Sequence, residues 1–219
     1  KEIKNNVYLV KDFKDNQLVV KQYPKNESQY TSIYLYEIET LKKLQHPNIV
    51  KIKHNEEDDK NYYILFQYIA GKNFVDNFSN LNTDKLKCDF FKSIIKILET
   101  LDYIHTHNFI HKDIKPSNII IDYNNNPFIL DFGTATISNT ITRTQQDLSL
   151  WYASPEQKNN QEVDITTDLY SFGITLIETL GNKNDFERFT KNSISIDESI
   201  NNIMVFSDGI NEEMKNIIK

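Results

Sequence analysis

The apolar residues of this chain change their spacing once, near Ala70-Gly71. Before that point they come in short runs. Val7-Tyr8-Leu9-Val10 and Leu18-Val19-Val20 flank the polar turn Lys14-Asp15-Asn16-Gln17, and Ile49-Val50-Lys51-Ile52 and Tyr62-Tyr63-Ile64-Leu65-Phe66 follow. Such runs predict strands, the first two as a hairpin. One helical pattern interrupts them, carried by Ile33, Leu35, Ile38, Leu41 and Leu44. His46-Pro47-Asn48 ends it, because proline disfavours helical geometry in the residue before it. The acidic run Glu56 to Asp59 reads as a solvated turn. After Ala70-Gly71, the spacing of Leu86, Phe90, Phe91, Ile94, Ile95, Leu98, Leu101 and Ile104 predicts a long amphipathic helix, with Thr83 as its N-cap. Ile119-Ile120-Ile121 and Phe128-Ile129-Leu130 read as short strands about an Asn-rich turn. Residues 134–150 are polar and read as a loop. Asp168 to Leu180 is apolar nearly all round, which marks a buried helix. The expected fold is α+β and bilobal. A small antiparallel-sheet lobe with one helix takes residues 1–69, and a larger helical lobe takes 70–219. They join near Gln67 to Gly71, and a cleft at such a junction is the expected ligand site.

Composition removes several function classes. With 25 basic and 31 acidic residues the net charge is −6. A mildly acidic chain does not draw nucleic acid or an anionic membrane through its bulk field. No apolar run approaches the ~20 residues needed to cross a bilayer, so no membrane contact is expected from this segment. A single cysteine, Cys88, rules out an intrachain disulfide and fits a reducing, cytoplasmic setting. The chain opens at Lys1 without methionine and reads as a piece of a longer protein, whose anchors would lie outside it. Oligomeric state is not indicated.

The chemistry is concentrated in His111-Lys112-Asp113-Ile114-Lys115-Pro116-Ser117-Asn118, followed 13 residues after Asn118 by Asp131-Phe132-Gly133. Phosphoryl transfer needs a carboxylate to orient the attacking hydroxyl and accept its proton. It also needs oxygen ligands for a metal on the phosphates, and a cation against the charge on the transferring group. Asp113 suits the first role and Lys115 the last. Asn118 and Asp131 offer hard oxygens suited to Mg²⁺. The pair His105 and His107 stands two apart on a helix and does not share a face, so metal binding there is not expected.

This segment resembles the catalytic loop and the Asp-Phe-Gly motif of eukaryotic-type protein kinases. Further marks follow in family order. Val19-Val20-Lys21 is similar to the strand with the phosphate-contacting lysine. Glu37-Ile38, ahead of His46-Pro47-Asn48-Ile49-Val50, is similar to the helix with that lysine's partner. Ser154-Pro155-Glu156 stands where the family has Ala-Pro-Glu. Asp168 to Gly173 is similar to the start of the buried helix under the catalytic loop. Any one motif is weak, but all of them in order and at the right spacing are specific.

The resemblance implies a protein-kinase-like fold, ATP as phosphate donor, and Mg²⁺ with Mn²⁺ as an acceptable substitute. It also implies a protein partner that presents a Ser or Thr hydroxyl. It makes Asp113 the base, Lys115 the cation, Asn118 and Asp131 the metal ligands, and Lys21 with Glu37 the phosphate-side ion pair. Lys115, two residues after Asp113, is the serine/threonine pattern. The adenine pocket falls on Val7, Val19 and Ile120, with Phe66 as gatekeeper and Gln67, Tyr68 and Ile69 as hinge. Leu41, Ile52, His111 and Phe132 align with the hydrophobic stack that links the lobes, His111 being structural there. Ser149 stands where serine/threonine members place a threonine near the catalytic aspartate. Thr140, Thr142 and Thr144 are candidate phosphosites. Glu178 matches a position that reads a basic residue upstream of the acceptor.

Three departures stand out. The glycine-rich loop is missing: its glycines align with Glu2 and Asn5, and the earliest glycine in the chain is Gly71. Lys112 fills a slot where many members have arginine, keeping the charge without the bidentate fork. Residues 181–219 reach about as far as the family's next-to-last helices, and the arginine that usually pairs with Glu156 is not seen. The expected function is serine/threonine protein kinase. The alternative is a pseudokinase that binds ATP or acts as a scaffold, which rests on the glycine-free loop. A small-molecule phosphotransferase ranks last, because such enzymes generally lack Lys-Pro-x-Asn, Asp-Phe-Gly and Ser-Pro-Glu.

Overall fold

Two runs of β-branched and aromatic residues joined by a polar turn pair as expected. In this computed structural model, which describes residues 1–4, 6–78, 84–137, 151–181 and 186–187 (84–87 by backbone alone), β2 (Val7–Lys11) and β3 (Gln17–Pro24) form a hairpin with Val7 opposite Lys21 and Leu9 opposite Val19. Asp12 builds the turn, its carboxylate accepting the Lys14 and Asn16 N–H groups at 2.7 and 2.9 Å. With β1 (Glu2–Lys4), β4 (Ile52–Glu57) and β5 (Asn61–Gln67) they make a five-stranded antiparallel sheet in the order β1-β2-β3-β5-β4.

The sheet's one helix, α1 (Ser28–Lys43), buries Tyr34, Glu37, Ile38 and Leu41. Leu35, counted with the apolar pattern, faces outward and is exposed. The helix stops at Leu44, whose N–H still reaches the Thr40 carbonyl, and Lys42 and Lys43 in its last turn suit the negative end of the dipole.

β4 corrects the sequence reading. Ile49 to Lys51 is not part of the strand: Ile49 makes only an isolated parallel bridge to Ile129. The strand starts at Ile52 and runs through Glu56 and Glu57, which pair with Tyr63 and Tyr62. Carboxylates are tolerated there because β4 lies at the sheet edge with its side chains in water. The turn is made later by Asp58, which accepts the Lys60 and Asn61 N–H groups, both at 2.8 Å.

Beyond Gln67, β6 (Gly71–Asn73) pairs with β8 (Ile119–Asp122), which pairs with β9 (Pro127–Ile129). Glycine is required at 71, because a Cβ there would lie 2.1 Å from the Ile121 carbonyl oxygen. Helices α2 (Phe74–Phe78) and α3 (Asp84–Thr106) follow, and Thr83 lies outside the described residues. The expected loop over 134–150 is corrected at its start. Phe132–Thr134 is a 3-10 turn, and β10 (Thr136–Ile137) pairs with β7 (Phe109–Ile110), so the buried backbone of this segment is hydrogen-bonded. A short α4 (Pro155–Lys158) precedes α5 (Thr166–Leu180), which is buried on most sides. One continuous core joins Tyr23, Ile38, Leu41 and Phe66 to Phe90, Ile97, Leu101, Phe132 and Phe172.

Candidate functional site

β3 aims Lys21 at α1, because residues two apart on a strand share a face and Lys21 stands between Val19 and Tyr23 on that face. The Lys21 ammonium meets Glu37 Oε2 at 2.9 Å and Asp131 Oδ1 at 2.6 Å. Tyr23 donates its hydroxyl to the same Glu37 oxygen. Glu37 is fully buried, so a charged partner offsets what its desolvation costs. On the far side of Asp131, Lys4 reaches Oδ2 at 2.8 Å. Burial pushes the Asp131 carboxyl up, but Lys21 and Lys4 outweigh it and hold the group well below the usual carboxylate range. Burial likewise pulls the Lys21 ammonium down, and Asp131 and Glu37 more than reverse it. Asp131 has left-handed backbone geometry (φ 63°). Gly133 lets the pair approach: a Cβ there would lie 3.2 Å from Lys21 Nζ and 3.3 Å from Glu37 Oε2.

The segment from His111 to Asn118 is held from below by one carboxylate. Asp168, fully buried at the start of α5, accepts the Lys112 N–H on Oδ1 at 2.8 Å. Its Oδ2 accepts the His111 N–H at 2.8 Å and stands 2.9 Å from the His105 ring. The His111 ring lies 2.9 Å from the Leu130 carbonyl and edge-on to Phe132, 4.7 Å between centroids. Leu41 and Phe132 share the core, with Ile52 packed against it. Lys112 is left-handed (φ 69°) and buried. Burial pulls its ammonium down, against the opposing pull of Asp168. Its carbonyl accepts from the Gln157 side chain at 2.9 Å.

Within this frame, Asp113 Oδ2 is 2.7 Å from the Lys115 ammonium and 2.8 Å from Asn118 Nδ2. Asn118 Nδ2 also donates to the Asp113 carbonyl at 2.9 Å. Among the described residues the buried Asn118 Oδ1 finds no hydrogen-bond donor, and a buried oxygen so placed calls for a further partner. The N–H of Leu130, the residue before Asp131, donates to the Asn118 carbonyl at 2.9 Å. Among the described residues no three His, Cys, Asp or Glu side chains gather to hold a metal. Two protein oxygens are nonetheless what a Mg²⁺ carried largely by phosphates needs, and the orphaned Asn118 oxygen fits it.

The other expected residues divide. Val7 and Phe66 are buried, Val19 and Ile120 line the core edge, Ile69 is buried and Tyr68 is exposed. Val19 pairs with Phe66 across β3 and β5, and the Gln67 N–H bonds the Lys51 carbonyl at 3.1 Å. Glu178 is half-buried on α5 and accepts the Tyr152 hydroxyl at 2.5 Å; burial raises its carboxyl and Tyr152 opposes that. Thr140, Thr142, Thr144 and Ser149 lie outside the described residues. Among the described residues Glu156 is held by the Thr167 hydroxyl at 2.6 Å. Four partners went unread in the sequence: Lys4, Tyr23, His105 and Gln157. Tyr23 was legible as sharing the face of Lys21, and Ser154-x-x-Gln157 is a capping-box pattern, here formed at α4. Lys4 and His105 carry no sequence signal of their own.

Residues 4–219 match the family model for the protein kinase domain. The chain is 32% identical over 199 residues to the serine/threonine-protein kinase PrkC of Bacillus subtilis, covering 87% of this chain and 30% of that protein. It is 33% identical over 181 residues to the probable serine/threonine-protein kinase samkA of Dictyostelium discoideum, covering 77% of this chain and 27% of that one. It is 28% identical over 184 residues to the probable serine/threonine-protein kinase PknB of Lactococcus lactis, covering 81% and 29%. The chain thus spans less than a third of the length of these relatives.

Proposed function

We propose, for a chain that belongs to the protein kinase family, that it moves the γ-phosphoryl group of ATP to a Ser or Thr hydroxyl of a protein. The observation that carries this reading is the coordination of Asp113. Lys115 and Asn118 both engage Oδ2, which fixes the carboxylate and leaves Oδ1 as the oxygen we assign to the acceptor's proton. The acceptor oxygen bonds the γ-phosphorus, the bridging oxygen leaves with ADP, and the proton passes to Asp113. The Lys115 ammonium offsets charge on the transferring group. Lys21, paired with Glu37, contacts the nucleotide's phosphates. Asn118 Oδ1 and Asp131 are the ligands for Mg²⁺, which when bound neutralises the phosphate oxygens.

The adenine ring is assigned to Val7, Val19 and Ile120, with Phe66 as gatekeeper and the backbone of Gln67 to Ile69 as its polar edge. Residues 1–69 and 70–219 then both contribute to the nucleotide site, and Glu178 is offered to a basic side chain upstream of the acceptor. The serine/threonine assignment rests on Lys115 and on the likeness to the serine/threonine kinases named above. A second reading, a kinase-like binding module without transfer, is favoured by the glycine-free β1.

The test is transfer from γ-labelled ATP with Mg²⁺ to a generic basic protein, comparing wild type with Asp113→Ala. The expected result is label on Ser or Thr that falls about 10²-fold or more in the variant. ATP binding without any transfer by wild type would move the protein to the second reading.

A further inference from the structure

Where the family resemblance implies a glycine-rich loop, this chain places a charged strand. β1 reads Glu-Ile-Lys and pairs with β2 across a register shift between Glu2 and Lys4, with Lys4 opposite Val7. Main-chain groups near it are engaged in the hairpin: the Leu9 N–H donates to the Lys1 carbonyl at 2.8 Å, and the Asn6 carbonyl accepts the Gln22 N–H at 2.8 Å. The side chain of Lys4 reaches across instead, ending 2.8 Å from Asp131 Oδ2. Asp131 is therefore held by two ammonium groups, Lys21 on one oxygen and Lys4 on the other.

The two lysines are not equivalent. Lys21 has a second anion, Glu37, and its side chain is 18% exposed; Lys4 is 52% exposed. A lysine head on four flexible carbons can change partners without moving the backbone. A divalent cation on Asp131 would compete with Lys4 for Oδ2, since both are cations seeking one oxygen. The ammonium so released would lie beside the most negative groups in the cleft, the nucleotide's phosphates.

We propose that Lys4 is a further nucleotide-binding residue, exchanging its bond to Asp131 for the terminal phosphates of the bound nucleotide. A side-chain charge then meets the phosphates where the family resemblance implies a glycine-rich loop. The proposal rests on reading this cleft as the ATP site.

The experiment measures the Kd of Mg²⁺-ATP and of adenosine by calorimetry for wild type, Lys4→Ala, Lys4→Arg and Lys21→Ala. Adenosine keeps the ring and ribose but has no phosphate. A charge-assisted contact predicts that Lys4→Ala weakens ATP about tenfold or more and leaves adenosine unchanged. Lys4→Arg should stay within about threefold of wild type, since the positive charge is kept. ATP binding that is unchanged or tighter in Lys4→Ala overturns the proposal; tighter binding would mean that Lys4 blocks the site. Loss in Lys21→Ala with none in Lys4→Ala removes Lys4 alone and keeps the ATP site. Failure of wild type to bind either ligand removes the ATP site and the proposal with it.

Discussion

Tyr23 donates its hydroxyl to Glu37 Oε2, the oxygen that also receives the Lys21 ammonium. Among the described residues Glu37 Oε1 has no hydrogen-bond partner, although it is buried. The charge of a buried carboxylate thus depends on two donors to one oxygen. Burial and the neighbouring Glu37 push the Tyr23 hydroxyl well above its usual pKa, so the donor stays protonated through any physiological pH.

Tyr23→Phe removes one of those donors and keeps the ring in the core. A lost hydrogen bond to a buried charge costs about 1.5–3 kcal/mol. Thermal unfolding should show that loss, and the KM for ATP should rise as Lys21 becomes the only hold on Glu37. A variant with unchanged melting temperature and unchanged KM would show that Lys21 alone positions the glutamate.

Gly133→Ala tests the same group from the opposite side. The new methyl would press on Lys21 Nζ at 3.2 Å and Glu37 Oε2 at 3.3 Å. Both are ends of flexible side chains, so they yield by a few tenths of an ångström and the fold survives. The ion pair then sits off its productive position, and kcat/KM should drop several-fold to about tenfold, since an error of 1 Å can cost about 10²-fold. Wild-type kinetics in this variant would mean that the pair tolerates displacement.

Asp168→Ala leaves the His111 and Lys112 N–H groups buried without their acceptor. Each such group costs about 1–3 kcal/mol. Stability should fall by several kcal/mol in a denaturant titration. Asp168→Asn, which keeps one acceptor oxygen, should fall by less. Activity should decline in the same order, because the backbone flanking Asp113 is what loosens. Equal losses in both variants would show that charge, and not acceptor count, is what matters.

The folded-state pKa of Asp131 lies below its ordinary value of 3.8. A depressed carboxylate stabilises the fold above its unfolded pKa and loses that contribution as pH falls through and below it. The gap in melting temperature between wild type and Asp131→Asn should therefore be constant above about pH 5 and narrow steadily below about pH 4. A gap that widens in acid would contradict the two-lysine environment described for this residue.

Sequence reading picked out neighbours in space where motif spacing reflects direct geometry. Lys21, Glu37, Asp113, Lys115, Asn118 and Asp131 carry motif positions, and the structure brings Lys21, Glu37 and Asp131 into one cluster and Asp113, Lys115 and Asn118 into another. Patterning failed at sheet edges. Glu56 and Glu57 look like turn residues because they are acidic, yet an edge strand with both faces in water accepts them. Lys4 was unreadable for a related reason: an exposed lysine near a chain end has no period, and its link to Asp131 spans 127 positions. His105 was set aside as a metal ligand, but its other use, a ring against Asp168, depends on a helix 63 positions away.

Asp168 also sets the order of events during synthesis. His111 leaves the ribosome 57 positions before the carboxylate that will receive its N–H. At about 5–20 residues per second, that is a delay on the order of 3–11 s. Through that interval the His111 and Lys112 N–H groups have been translated without their buried acceptor. Closure of the backbone at His111 and Lys112 therefore reports that α5 has been made and has docked.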